Sequence, residues 1–470
     1  MTKISAFWMI AVLALWGIFD SAFGAEEGGF RAGAATVETT PEQLPVKCNG
    51  GFVPRMVDRI SDPLSACALA LSDGVTEMVF CTVDACGMND QLRNDVAAEV
   101  EQKSGIPADH ILIAATHCHS APALTLILGC DADENYVSFV RPKIVEAILR
   151  AHDHLQPAKI GFGVAEDREN VYVRRFLMRP DTAATHPTAF TGAARNLAMM
   201  NPGMNNPNAI TRTGVPDPEV SVLAIQTPEG KPLALLANYS LHYVGADGIS
   251  SDYYGIFRKK IGEKLGADEN FTALLTNGTS GDVNAIDFLD PERKFDKETV
   301  AESVAEAAKR ACGSMTFHDQ VPLDLRSELM TLAIRKPSAE DVAEAKAYLE
   351  KEGITAPRGD RDLYAFDTVA LSDDPGTRTL RLQTFRIGPI AVSAIPCEVY
   401  SFTGLDLKAN TPAERTFTIS LANGYFGYIP TVWSFELGGY NTWRARSCCL
   451  EVEAEPKIRA KILGLQREMF

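Results

Sequence analysis

The sequence predicts an α/β fold, with mixed β-sheets flanked by helices. Short apolar runs rich in β-branched residues, such as VTEMVFCTVD (75–84) and ILIAATHCH (111–119), read as buried strands. Segments with helical apolar spacing come between and after them, among them QLRNDVAAEVEQKSG (91–105), which ends in a glycine stop, and YVSFVRPKIVEAILRAHDHL (136–155), with Pro142 near its start. The alternation recurs to the C-terminus without an internal repeat or a low-complexity linker, which is the pattern of sheets covered by helices.

In chain order, residues 25–50 form a Gly- and Thr-rich entry segment, and AKIGFGVA (158–165) a further strand. The stretch 179–218 is rich in Pro, Asn and Gly and lacks periodicity; it reads either as a flap over a site or as a surface insertion. As a flap, its Phe190, Leu197, Met199 and Met200 would touch an apolar ligand; otherwise they pack on the core. Paired strands follow at 219–227 and 232–240, a helix at 253–265, and a strand at 271–277 that ends in a Gly- and Ser-rich turn. Helices are predicted at 297–312, before Gly313, and at 338–352. Strands at 379–386, 390–395 and 416–422, an aromatic loop and a helix at 456–468 complete the chain.

Composition narrows the partners. A net charge of −16 argues against nucleic acid and against anionic membranes, because both need a basic face. Lys3, the apolar stretch 5–18, and the small residues Ala22 and Gly24 make residues 1–24 read as a signal peptide; a retained membrane anchor is the alternative. Residues 25–470 then read as one domain, secreted or periplasmic. No CxxC pair occurs among the ten cysteines, so a thiolate zinc site is not indicated. Cys67, Cys81, Cys118 and Cys397 lie in apolar runs and read as buried thiols, while Cys48 or Cys130 are candidates for a disulfide. Asn238, Asn270 and Asn277 lie in glycosylation sequons, with at least two in or beside predicted strands.

Four local signals carry chemistry. His117 and His119 stand two apart at the end of an apolar strand, where alternate residues face one way. His242 follows the strand 232–240; Glu398 follows two apolar strands; Tyr425 and Tyr428 lie in an aromatic loop. Each has an ordinary explanation. The histidines can be structural, Glu398 can serve a helix N-terminus, and the tyrosines can pack.

Taken together and in order, THCHSAP, SLHYVG, SGDVNA, PCE and YFGY resemble the motifs of the neutral (alkaline, non-lysosomal) ceramidase family, across roughly residues 30–445. That resemblance implies a zinc ion held by His117, His242, Glu398 and Tyr428. It implies that His119 hydrogen-bonds the reacting carbonyl, that Arg174 (or its neighbour Arg175) is the active-site arginine, and that Asp282 supports the catalytic loop. Imidazole and carboxylate are ordinary zinc ligands, and a catalytic zinc lowers the pKa of its water to about 7 while polarising a carbonyl. Tyr428 can instead stay protonated as an oxyanion donor. Asp252 is the candidate to orient the histidines, with a helix N-cap as its alternative.

The chain departs from the family at Asn284, where the family has serine, and at Cys118 and Cys397 beside the ligands. Asn284 would then donate a hydrogen bond to the tetrahedral intermediate. The family's C-terminal immunoglobulin-like domain has no counterpart before Phe470. The expected function is zinc-dependent hydrolysis of an amide bond in an N-acyl, ceramide-like lipid or small molecule, with peripheral membrane contact. A zinc-dependent esterase or carbohydrate-directed hydrolase, and a non-catalytic binding protein on the same scaffold, are the alternatives; the sequence does not specify an oligomeric state.

Overall fold

The computed structural model describes residues 29–183, 188–192 and 196–470, so the leader predicted over 1–24 and parts of 179–218 lie outside the described residues. Three mixed sheets share one apolar core. The first runs Ile111–Ala115, Glu77–Val83, Ser65–Ser72, Arg31–Glu38, Gln156–Pro157. The second runs Thr272–Asn277, Pro232–Tyr239, Glu219–Gln226, Lys159–Glu166, Phe317–His318. The third runs Leu323–Ala333, Thr377–Ile387, Ile390–Ile395, Arg415–Ser420. Each has one parallel pair at an edge, with antiparallel pairing elsewhere.

Period-two alternation explains the layering. In Ser65–Ser72, Ala66, Ala68 and Ala70 face the helices Asp90–Ser104 and Glu134–Asp153, while Cys67, Leu69 and Leu71 face the central core. The second sheet sends Val220 and Val222 toward the helices Asp252–Leu265 and Lys297–Cys312, and Leu223 and Ile225 inward. The third backs onto the helix Ala454–Arg467 through Leu380 and Leu382. Phe80 of the first sheet meets Phe385 of the third, ring centroids 4.9 Å apart, a contact that adds about 0.5–1.5 kcal/mol to the burial of both rings.

Buried amides stitch the sheets together. Asn238 Nδ2 donates to Thr418 O and Thr276 Oγ1, at 3.1 and 2.9 Å. Asn423 Oδ1 accepts from Ile113 N, and its Nδ2 donates to Gln383 Oε1. Asn238 and Asn277 are both buried, so neither is open to glycosylation in the folded chain; Asn270 is exposed.

Most predicted elements form within a residue or two, and the helix Lys297–Cys312 forms as predicted. Among the longer elements, the strands Ser65–Ser72 and Leu323–Ala333 and the helix Asp360–Ser372 escaped the pattern, and the strand Arg31–Glu38 lies in the stretch read only as an entry segment. In the 179–218 region, Ala198–Met200 and Ala209–Arg212 pair with Arg175–Met178. The flap contacts expected of its apolar residues are corrected here. Phe190 packs with Tyr364 and Trp443, Met199 packs beside Phe176 and Phe288, Met200 is buried, and Leu197 is tied to Leu437 O.

Candidate metal centre

Each of the three His/Glu candidates follows a strand of a different sheet. His117 comes just after Ile111–Ala115, His242 just after Pro232–Tyr239, and Glu398 just after Ile390–Ile395. Carboxyl ends of strands are where α/β sheets gather ligand-binding groups. All three side chains are buried.

Strand geometry does not produce the HxH pair as expected. The strand stops at Ala115, and His117 takes a left-handed φ of 73°. That conformation costs a non-glycine residue on the order of 1–2 kcal/mol and persists only where its surroundings enforce it. Here the N–H groups of His117 and Cys118 both donate to Ala85 O, at 2.9 and 3.1 Å. The turn brings the Nε2 atoms of His117 and His119 within 3.2 Å.

The protonation pattern can be read from the partners. His117 Nδ1 lies 2.6 Å from Cys86 O, and His242 Nδ1 lies 3.2 Å from Ser280 O. A carbonyl only accepts, so each ring keeps its proton on Nδ1 and turns a bare Nε2 lone pair inward. Burial lowers the pKa of both rings, with the Arg174 charge adding to the effect at His242, and so favours the neutral form. The two Nε2 atoms face each other at 2.9 Å. Glu398 Oε2 stands 3.6 Å from His117 Nε2 and 4.0 Å from His242 Nε2, buried and without a hydrogen-bond partner among the described residues. Facing lone pairs beside an orphaned carboxylate oxygen are repulsive unless a cation lies among them. Ligand atoms of a tetrahedral zinc site lie about 3.4 Å apart, so these three donors fit a divalent cation, and their chemistry suits zinc.

The surrounding groups orient the donors. Tyr425 donates its hydroxyl to Glu398 Oε1 at 2.9 Å. Tyr428 pairs with Glu398 in a short parallel ladder, its hydroxyl 3.4 Å from an Arg174 nitrogen and 3.5 Å from Tyr440 OH. Burial, then the Glu398 charge, raises the Tyr428 pKa and favours the phenol. Arg174 also donates to Gly281 O at 3.0 Å and reaches His242 Nε2 at 3.4 Å. Burial lowers the Arg174 pKa, but the surrounding Tyr440, Tyr428 and Glu398 more than offset this and favour the charged form. Arg175 turns away, to Ser434 O and Gly438 O.

Asp282 accepts from the Ser401 N–H and hydroxyl at the start of the helix Ser401–Asn410, while its own carbonyl accepts from the Arg174 N–H. Asn284 lies off the cluster, in an adjoining chamber, with Nδ2 3.3 Å from Asn201 Oδ1. Asp252 does not bond either histidine. It accepts from the N–H groups of Val244, Gly245 and Tyr253, and so fixes the turn after His242. Cys118 donates to Ser250 O, and Cys397 packs in the core of the third sheet. The thiol nearest the cluster is Cys86, 3.9 Å from His117 Nδ1. All ten cysteines are free; Cys130 Sγ reaches only the backbone of Cys48 and Asp131.

The motif reading missed several pocket residues, among them Tyr243, Gly50, Asn201 and Tyr440. Tyr243 stacks on His119, with centroids 3.7 Å apart and planes 15° apart. Gly50, at φ 101°, lies so close to His119 that a Cβ would stand 2.3 Å from Nδ1, so this position requires glycine. Asn201 and Tyr440 complete the wall of a pocket of about 200 Å³. Tyr243 adjoins His242 in sequence and was findable; Gly50, Asn201 and Tyr440 carry no local signal.

No family model matches the chain. Two solved structures resemble it over 94% of its length. One is described as the neutral ceramidase from Pseudomonas aeruginosa (TM-score 0.69, 17% identity, 74% of that chain covered). The other is described as a ceramidase complexed with C2 (TM-score 0.67, 17% identity, 76% of that chain covered). At this identity the likeness is one of architecture, and the chain has the α/β fold of the neutral ceramidase structures.

Proposed function

We propose that the chain is a zinc-dependent hydrolase that cleaves the amide bond of an N-acyl, ceramide-like substrate. The observation that carries this reading is the orphaned Glu398 Oε2 facing the bare Nε2 atoms of His117 and His242. Those three residues would hold the metal. Zinc, when bound, supplies Lewis acidity to a carbonyl oxygen and makes water a nucleophile near neutral pH. The Tyr428 hydroxyl and the Arg174 guanidinium face the same pocket, as donors for charge developing on the acyl oxygen. His119, braced by Tyr243 and Gly50, hydrogen-bonds the reacting group. Asp282 positions Arg174 through its backbone, and Asn284 contacts the substrate beyond the reacting bond. The amide substrate is drawn from the ceramidase neighbours, one of them described as complexed with C2.

The proposal includes a secreted or periplasmic product, with residues 1–24 as leader and 25–470 as the hydrolase domain, supported by the apolar stretch 5–18. No helix among the described residues is long and apolar enough to cross a membrane. The test is elemental analysis of protein purified without chelator, beside the His117→Ala/His242→Ala double variant, followed by amide-hydrolysis assays. The expected result is about one zinc per chain, lost in the double variant together with activity. Absence of metal from both proteins would favour a binding protein on the same scaffold.

A further inference from the structure

A second chamber, of about 210 Å³, adjoins the metal pocket and shares Arg174, Asn201 and Tyr243 with it. Its polar groups stand at the junction, where Asn201 and Asn284 are locked together by their side-chain amides. Its remaining wall is apolar, made chiefly by Val244, Ile286, Phe288 and Phe295. The far rings are braced from behind. Phe288 meets Phe176 edge-on at 6.3 Å, and the Arg293 guanidinium lies 4.8 Å from the centre of the Phe295 ring.

We propose that this chamber is the acyl subsite and that it limits the chain to a short one. The inference rests on the amide-hydrolase reading and names its substrate class, a medium-chain N-acyl amide. Two features assign the acyl half to this side. Its lining is hydrocarbon, and the guanidinium on its border is where the carboxylate released by hydrolysis would be drawn. At about 30 Å³ per methylene, near the share of one water in the liquid, the volume seats on the order of seven carbons. That is well short of a palmitoyl chain. The braced rings fix the size of this apolar volume, so carbons beyond it leave the walled space.

The test is kcat/KM on one amine carrying acetyl, hexanoyl, octanoyl, dodecanoyl or palmitoyl groups, measured on wild type, Phe288→Ala and the milder Phe288→Leu. In wild type, kcat/KM should rise about threefold per methylene up to octanoyl and then fall at least tenfold to palmitoyl. Phe288→Ala should move the optimum to dodecanoyl or beyond, with Phe288→Leu in between. Calorimetric binding of octanoate and palmitate to metal-free protein provides a readout independent of turnover. Octanoate binding that Phe288→Ala loosens, with no amide hydrolysed, would retain the subsite and reject the reaction. Equal rates for octanoyl and palmitoyl amides in every variant, or no preference for octanoate over palmitate, would overturn the subsite.

Discussion

Two carboxylates buried at strand ends in this molecule meet opposite conditions. Asp84 follows Glu77–Val83 and has both oxygens answered. Arg258 grips it through two nitrogens at 2.9 and 2.6 Å, and the Ser65 N–H adds a third bond at 2.8 Å. Glu398 follows Ile390–Ile395 and has one oxygen on Tyr425 and the other on nothing. The first is a clamp, tying the first sheet to a helix of the second. The second holds its charge against two imidazole lone pairs, an arrangement that folding alone does not reward. Equal burial with unequal satisfaction is the difference expected between a residue kept for stability and, on the proposed reading, one kept for ligation.

Substitutions sharpen the contrast. The largest effect should come from Glu398→Gln, which removes the charge but keeps the shape. It should release the metal and lower kcat/KM about a thousandfold, the scale of losing several kcal/mol of charge stabilisation. Its metal-free melting temperature should match or exceed that of metal-free wild type, and a clear drop would place Glu398 with Asp84 as a structural acid.

Asp84→Ala should do the reverse. An unpaired buried Arg258 costs about 3–5 kcal/mol, read as a lower urea midpoint, while metal content per folded molecule stays at the wild-type value. Loss of metal at unchanged stability would erase the distinction. The smallest effect should come from Tyr425→Phe, which frees the second oxygen of Glu398. Metal affinity, measured by competition with a chromophoric chelator, should weaken about 10–100-fold with little change in stability.

The sequence reveals the layers better than the site. Short apolar runs rich in β-branched residues mark many of the buried strands, and clear amphipathic spacing marks helices such as Lys297–Cys312. Leu323–Ala333 was missed because it is half-exposed and carries Asp324, Arg326 and Glu328, so it lacks the continuous apolar run by which the buried strands were found. The candidate ligands were found through ordered motifs, and the local reason offered for one of them was wrong. His117 and His119 converge through a left-handed turn pinned to Ala85, a contact far away in sequence that no strand rule anticipates. Cys86 and Asn201 reach the site by the same kind of long-range closure. Asp252, expected at the imidazoles or at a helix cap, instead fixes the turn at Val244 and Gly245.

The three donors follow strands of three separate sheets and together span more than half of the chain. A fragment cut anywhere between His117 and Glu398, or a nascent chain still missing Ile390–Ile395, has at most two of the three and no way to close the set. On the proposed reading, metal capture would be a late event in the life of the molecule, gated by the docking of the last sheet. A centre of that kind would be absent from unassembled chains and would come into being only with the finished architecture.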